Sequence, residues 1–146
     1  MGAIASGGVC IFNPEATNLR LDAFEVEAVL VREQQELDRR EQRYRGLRPP
    51  PSLLGRTVIL VDDGLATGST MRAAALAAHQ QGAAHVVAAV PVGPPDTAES
   101  LRSEVDEVVC IITPVPFRAV AVWYDAFDQV SDDEVCSLLA AAHKQL

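Results

Sequence analysis

The stretch from residue 57 to 70, TVILVDDGLATGST, constrains the fold more than any other part of the chain. TVILV is a continuous apolar, β-branched run, the texture of a strand covered on both faces. It leads straight into two acids, Asp62 and Asp63, and a turn at Gly64. The Ala-rich segment 69–82 then reads as a helix closed by Gly82. The alternation continues downstream. HVVAAV (85–90) and EVVCII (107–112) read as strands. Asp96-x-x-Glu99 predicts a capped short helix to about Ser103, and Ser131-x-x-Glu134 a final helix to about His143. Strands separated by helices imply parallel pairing through right-handed crossovers. The predicted class is therefore α/β, an open, mainly parallel sheet with flanking helices. Such sheets bind ligands beyond the carboxyl ends of their strands.

The first 56 residues have a different texture. Residues 2–12 are small and β-prone, and Gly7-Gly8 breaks them into a short strand or hairpin. Asp22-x-x-Glu25 predicts the start of a helix that runs to about Arg45 and stops at Gly46, before Pro49-Pro50-Pro51. Its second half is nearly all charged and reads as a solvated face with i,i+4 pairs. Seven arginines against four acids in residues 32–56 stand out from a chain of net charge −8. The acidic bulk excludes the basic face of a typical nucleic-acid binder. No apolar run is long enough to span a membrane. The start, MGAIASGGVC, lacks the basic and apolar regions of a secretory signal. Three scattered cysteines, Cys10, Cys110 and Cys136, suit a reducing compartment, so a cytoplasmic location is expected. A length of 146 residues fits one domain.

The chemistry is expected where the 57–61 strand ends. A helix N-terminus presents unpaired N–H groups and the positive end of a dipole, which suit a phosphate. Gly68 permits close approach, and Thr67, Ser69 and Thr70 add hydroxyl donors. Just upstream, Asp62 and Asp63 can accept hydrogen bonds from two vicinal hydroxyls, as on a ribose. One ligand with a phosphate at one end and a sugar diol at the other would satisfy both parts. Other phosphate motifs fit poorly. No Lys follows the Gly as in a P-loop, no GxGxxG is present, and Asp-Asp-Gly is not the Asp-x-Asp of haloacid-dehalogenase-type phosphatases. His79, His85 and His143 share no metal-ligand spacing.

VILVDDGLATGST resembles the 5-phosphoribosyl-1-pyrophosphate (PRPP) motif of type I phosphoribosyltransferases: four apolar residues, two acids, two variable positions, a small residue, Thr-Gly and a hydroxyl residue. GAIASGG, the Arg-rich helix ending RYRG, the PPP spacer and the tail WYDAFDQVSDDEV extend the likeness to a bacterial subfamily of phosphoribosyltransferase-like proteins. The resemblance implies a Rossmann-like core over 57–146, with 1–56 as a hood or flexible segment carrying the Arg-rich helix. It implies that Asp62 and Asp63 are the catalytic pair holding the ribose hydroxyls. Ala66, Thr67, Gly68, Ser69 and Thr70 would form the 5′-phosphate loop. Mg2+ is the implied cofactor, bound mainly through substrate oxygens, with Asp62 and Asp63 as the nearest protein donors. The implied partners are PRPP or a nucleotide and a nitrogen base. The resemblance also leads to the expectation of an N-terminal truncation, no residue here matching the family's strand and Gly-containing loop that grip pyrophosphate. Slow or absent PRPP turnover is expected from these residues alone.

Phe117 and Trp123, near a Pro-rich turn, are candidates to stack the base, against the plainer reading that they pack the last helix. Asp125 and Asp128 read as surface acids. Arg39, Arg40 and Arg43 are secondary candidates to fold over the pyrophosphate. Two functions remain open at this point: phosphoribosyl transfer to or from a base, or a non-catalytic role, as a nucleotide- or PRPP-binding regulatory module or a degenerate truncated transferase. A sheet missing a strand beside 57–61 would present a bare apolar edge, so a homo-oligomer, most simply a dimer, is expected.

Overall fold

The computed structural model describes residues 2–12 and 22–143. Its elements are β1 (Gly2–Ala5), β2 (Val9–Phe12), α1 (Ala23–Arg45), β3 (Thr57–Val61), α2 (Ser69–Gln80), β4 (His85–Val92), α3 (Pro95–Leu101), β5 (Glu107–Ile112), a 3-10 turn (Val120–Trp123) and α4 (Asp132–His143). β1 and β2 form the hairpin expected at Gly7-Gly8, both glycines having positive φ. β3, β4 and β5 form a parallel sheet in that order, with Val58 beside Val86 and Ala88 beside Val108. The sequence reading of an α/β architecture around a parallel sheet holds.

Local signals explain most boundaries. The Asp22 carboxylate accepts from the Phe24 amide at 2.9 Å and caps α1. Gly46, at φ 60°, ends that helix. α2 stops at Gln80, and Gly82 turns the chain away at φ 80°. The Ser131 hydroxyl accepts from the Glu134 amide at 3.3 Å and caps α4. The box at Asp96-x-x-Glu99 is a correction. Pro94 is the cap, α3 begins at Pro95, and Asp96 lies inside its first turn, where its charge suits the helix dipole.

Why α2 is so rich in alanine becomes clear from its neighbours. Met71, Ala75 and Ala78 join the main core with Leu65, Val86, Ala88, Val90, Leu101 and Val108. Ala73 and Ala77 instead meet Ala5 and Val9 of the hairpin. The helix is sandwiched between sheet and hairpin, and small side chains let both approach closely. Leu65 and Leu101 are fully buried, each worth about 1.5–3 kcal/mol of transfer free energy.

The expectation that TVILV is covered on both faces is overturned. Val58 and Leu60 pack on the core, but Ile59 is 63% and Val61 76% exposed. On β5, Val109 and Ile111 are exposed in the same alternation. The chain steps in one direction, β3 to β4 to β5, so right-handed crossovers lay α2 and α3 on the same face. The described residues leave the other face uncovered.

Candidate functional site

β3 delivers the two acids to the carboxyl edge of the sheet. The Asp62 amide reaches the Ala89 carbonyl at 3.4 Å, continuing the strand pairing by one residue. The Asp62 carboxylate then accepts from the Asp63 amide at 2.9 Å and bends the chain. Gly64 passes through a narrow gap. A Cβ there would lie 2.8 Å from the Val120 methyls and 2.9 Å from the Val92 carbonyl oxygen. Leu65 anchors the turn, its side chain buried in the core and its amide donating to the Val92 carbonyl at 2.8 Å.

The phosphate half of the motif follows at once. The Thr97 hydroxyl donates to the Ala66 carbonyl at 3.2 Å and holds the turn onto α3. The Thr67 and Ser69 hydroxyls are 3.1 Å apart. Gly68 is the N-cap of α2 in the left-handed conformation, φ 76°, and makes no side-chain capping bond. A Cβ at Gly68 would meet the Thr97 methyl at 3.0 Å. Both its conformation and its surroundings therefore call for glycine. Ser69 is buried, while Thr67 and Thr70 are exposed. Thr70 also lines a cavity of about 560 Å³ between the β1–β2 hairpin and α1.

Electrostatically the two parts differ. The helix start offers backbone N–H donors to an anion. Asp62 and Asp63 place two carboxylates in succession, and Asp63 holds its proton above the ordinary aspartate range. Partial burial is the main cause and the Asp62 charge the second. Such a pair gains from hydroxyl donors or a cation. Among the described residues, no three His, Cys, Asp or Glu side chains gather as a metal cluster.

The candidate residues from the sequence do not all stand equally close. Asp62, Asp63, Ala66, Thr67, Gly68, Ser69 and Thr70 form one continuous turn. The aromatic contact to it comes from Tyr124, whose hydroxyl donates to the Asp63 carbonyl at 2.6 Å. Trp123 neighbours it in the chain and is 43% exposed, and Phe117 is half-buried upstream. Tyr124, Val120 and Thr97 are contacts that sequence reasoning missed. Only Tyr124 had a signal, the aromatic pair Trp123-Tyr124; Val120 and Thr97 had none. The arginines are committed elsewhere. Arg39 and Arg43 pair with Asp132 and Asp133 of α4, and Arg40 pairs with Glu36. The expectation that they fold over a pyrophosphate is not met in this arrangement.

A family model described as phosphoribosyl transferase domain matches residues 3–126. Two curated relatives from Mycobacterium tuberculosis strains, named "Putative phosphoribosyl transferase MT0597" and "Putative phosphoribosyl transferase Rv0571c", are each 44% identical over 144 residues. Those residues are 98% of this chain but 32% of each relative, so the chain spans about a third of their length. The crystal structure of TT1426 from Thermus thermophilus superposes with a TM-score of 0.74 at 38% identity, over 94% of this chain and 65% of that one. With an α/β core, a paired-acid turn and a helix start in one continuous loop, the chain belongs to the phosphoribosyl transferase domain family.

Proposed function

We propose that this chain binds a ribose 5-phosphate unit, as part of PRPP or a nucleoside 5′-monophosphate, and that it serves phosphoribosyl transfer to or from a nitrogen base. One observation carries the reading. A single turn sets two carboxylates at one end and a hydroxyl-rich, glycine-opened helix start at the other. Asp62 and Asp63 accept from the ribose hydroxyls. Thr67, Gly68, Ser69 and Thr70 surround the 5′-phosphate with backbone and hydroxyl donors.

Transfer at the ribose anomeric carbon passes through a cation-like sugar. The chain's part is to position the ring and place negative charge beside it, without a covalent nucleophile. Phe117 and Trp123 are the residues available to stack a base. Asp62 and Asp63 are hard oxygen donors that fit Mg2+ shared with ligand oxygens and water. When bound, Mg2+ would offset the charge of a pyrophosphate leaving group.

Calorimetry with ribose 5-phosphate tests the reading. Asp63→Asn should weaken binding by about 1.5–3 kcal/mol, the range for a hydrogen bond to a charged group. Unchanged affinity would overturn the ribose assignment. A second reading, a binding module without turnover, is favoured by the pairing of Arg39, Arg40 and Arg43 with acids of α1 and α4 and not with the acid turn. Pyrophosphate release from PRPP across a panel of bases separates the two.

A further inference from the structure

We propose that Tyr124 and Val120 are positioning residues for the Asp62–Asp63 pair, holding the 63–64 peptide so that both carboxylates face one ligand; this rests on the ribose-binding reading above. The acid turn is braced within itself only by its own carboxylates. Asp63 is largely exposed; its amide donates to the Asp62 carboxylate at 2.9 Å, and its own carboxylate accepts from the Gly64 amide. The next anchor is the Leu65 amide on Val92. Between the end of β3 and Leu65, the Asp63 carbonyl is fixed by the Tyr124 hydroxyl at 2.6 Å, across 61 residues of chain.

The second contact is steric. Val120 opens the 3-10 turn and lies directly over Gly64, so close that a Cβ would come within 2.8 Å of both its methyls. The 3-10 turn presents the phenol from its far end. The Tyr124 amide donates back to Ala121 at 3.3 Å, and the ring leans on Phe127 with centroids 5.1 Å apart. The two contacts act on the same peptide, Val120 by packing and Tyr124 by a hydrogen bond. A peptide free to rotate would swing the Asp63 side chain with its backbone. A fixed one keeps the spacing of two acceptors matched to two vicinal hydroxyls. The phosphate half of the turn is held separately, by Thr97 on Ala66 and by the start of α2.

That separation makes the role measurable. The experiment uses the full chain, with ribose 5-phosphate and inorganic phosphate as two probes in calorimetry. Tyr124→Phe keeps the ring and deletes the hydroxyl. Affinity for ribose 5-phosphate should fall about three- to tenfold, the worth of one hydrogen bond, while affinity for inorganic phosphate stays the same. Without ligand, amide exchange at Gly64 should quicken, and the melting temperature should fall by no more than about a few degrees. Val120→Ala should move ribose 5-phosphate affinity the same way by a smaller factor. Parallel loss of both ligands together with a lowered melting temperature would make Tyr124 a general structural residue and overturn the proposal. Unaltered ribose 5-phosphate affinity in Tyr124→Phe, beside a weakened Asp63→Asn, would overturn the positioning role and leave the ribose reading standing. If neither variant differs from the unsubstituted chain, or that chain binds no ribose 5-phosphate, the ribose reading itself falls. Unchanged Gly64 exchange in Tyr124→Phe overturns the positioning role whatever the ligands do.

Discussion

Asp63 carries an internal conflict that pH exposes. Its carboxyl is pushed up from the ordinary 3.8 by partial burial and by the Asp62 charge. The folded state therefore favours its protonated form. That contribution to stability is fully present below the unfolded value and is lost as pH rises through the raised folded value. Ligand binding has the opposite demand, because the anion is the better acceptor of ribose hydroxyls. Acidification should erode ribose 5-phosphate affinity at a higher pH than an unshifted aspartate would. Asp63→Asn should flatten that part of the profile and raise the melting temperature at neutral pH. Calorimetry and thermal melts over about pH 4 to 7 check both signs. A melting temperature lowered by Asp63→Asn would show that the folded state favours the charged form.

At the scale of elements, α4 attaches outside the core. Like α1, it contributes no residue to either described core cluster. It is held to α1 by Arg39 and the Tyr44 hydroxyl on Asp132, and by Arg43 on Asp133. Asp132 and Asp133 also lie in its first turn, where negative charge suits the helix dipole. The Asp132 carboxyl is held below the usual aspartate range, first by the Tyr44 hydrogen bond and then by Arg39. Glu36 is lowered to about 2 by hydrogen bonds from Arg39 and Arg40. For Asp132 the sign is the ordinary one. The clasp is present above the unfolded value of 3.8 and is lost as pH falls through the lowered folded value. Arg39, Arg43 and Asp133 are exposed and Asp132 and Tyr44 half-buried, so salt screens the clasp in part. Asp132→Ala should speed amide exchange across 132–143 and leave the melting temperature nearly unchanged. Exchange as slow as in the unsubstituted chain would mean that apolar contacts, not the ion pairs, hold the helix.

For the molecule as a whole, the three-stranded sheet has one bare face and two free edges among the described residues. Ile59, Val61, Val109 and Ile111 line that face, all more than 40% exposed. Such a surface favours association. The net charge of −8 opposes it at low ionic strength. The expected outcome is self-association of this chain that strengthens with added salt, read by light scattering at low micromolar concentration. Ile111→Lys, at a position 76% exposed, should disperse the assembly without unfolding the chain. A stable monomer with a cooperative melt at high salt would show that this face tolerates water.

What was legible from the residues alone is whatever is encoded locally. β3, the acid pair, the glycine-opened turn and the start of α2 were readable because they follow one another along the chain. Their conformations depend on near neighbours: β-branched residues for a strand, Gly68 for a left-handed cap, alanine for a helix. The hairpin at Gly7-Gly8 and the cap at Asp22 were legible for the same reason. The Asp96 cap was misread because Pro94-Pro95 starts the helix two residues earlier than the capping pattern suggested. The rest came from the path of the folded chain. A continuous apolar strand looks doubly covered in sequence, yet the direction of two successive crossovers put both helices on one side. Phe117 and Trp123 were the aromatic candidates, but Tyr124 reached the acid turn, across 61 residues of chain. The arginines of α1 found acids some 90 positions away on α4. Periodicity and capping report the conformation of a segment, whereas such partners depend on how distant segments meet and on which surfaces remain to be covered once they have.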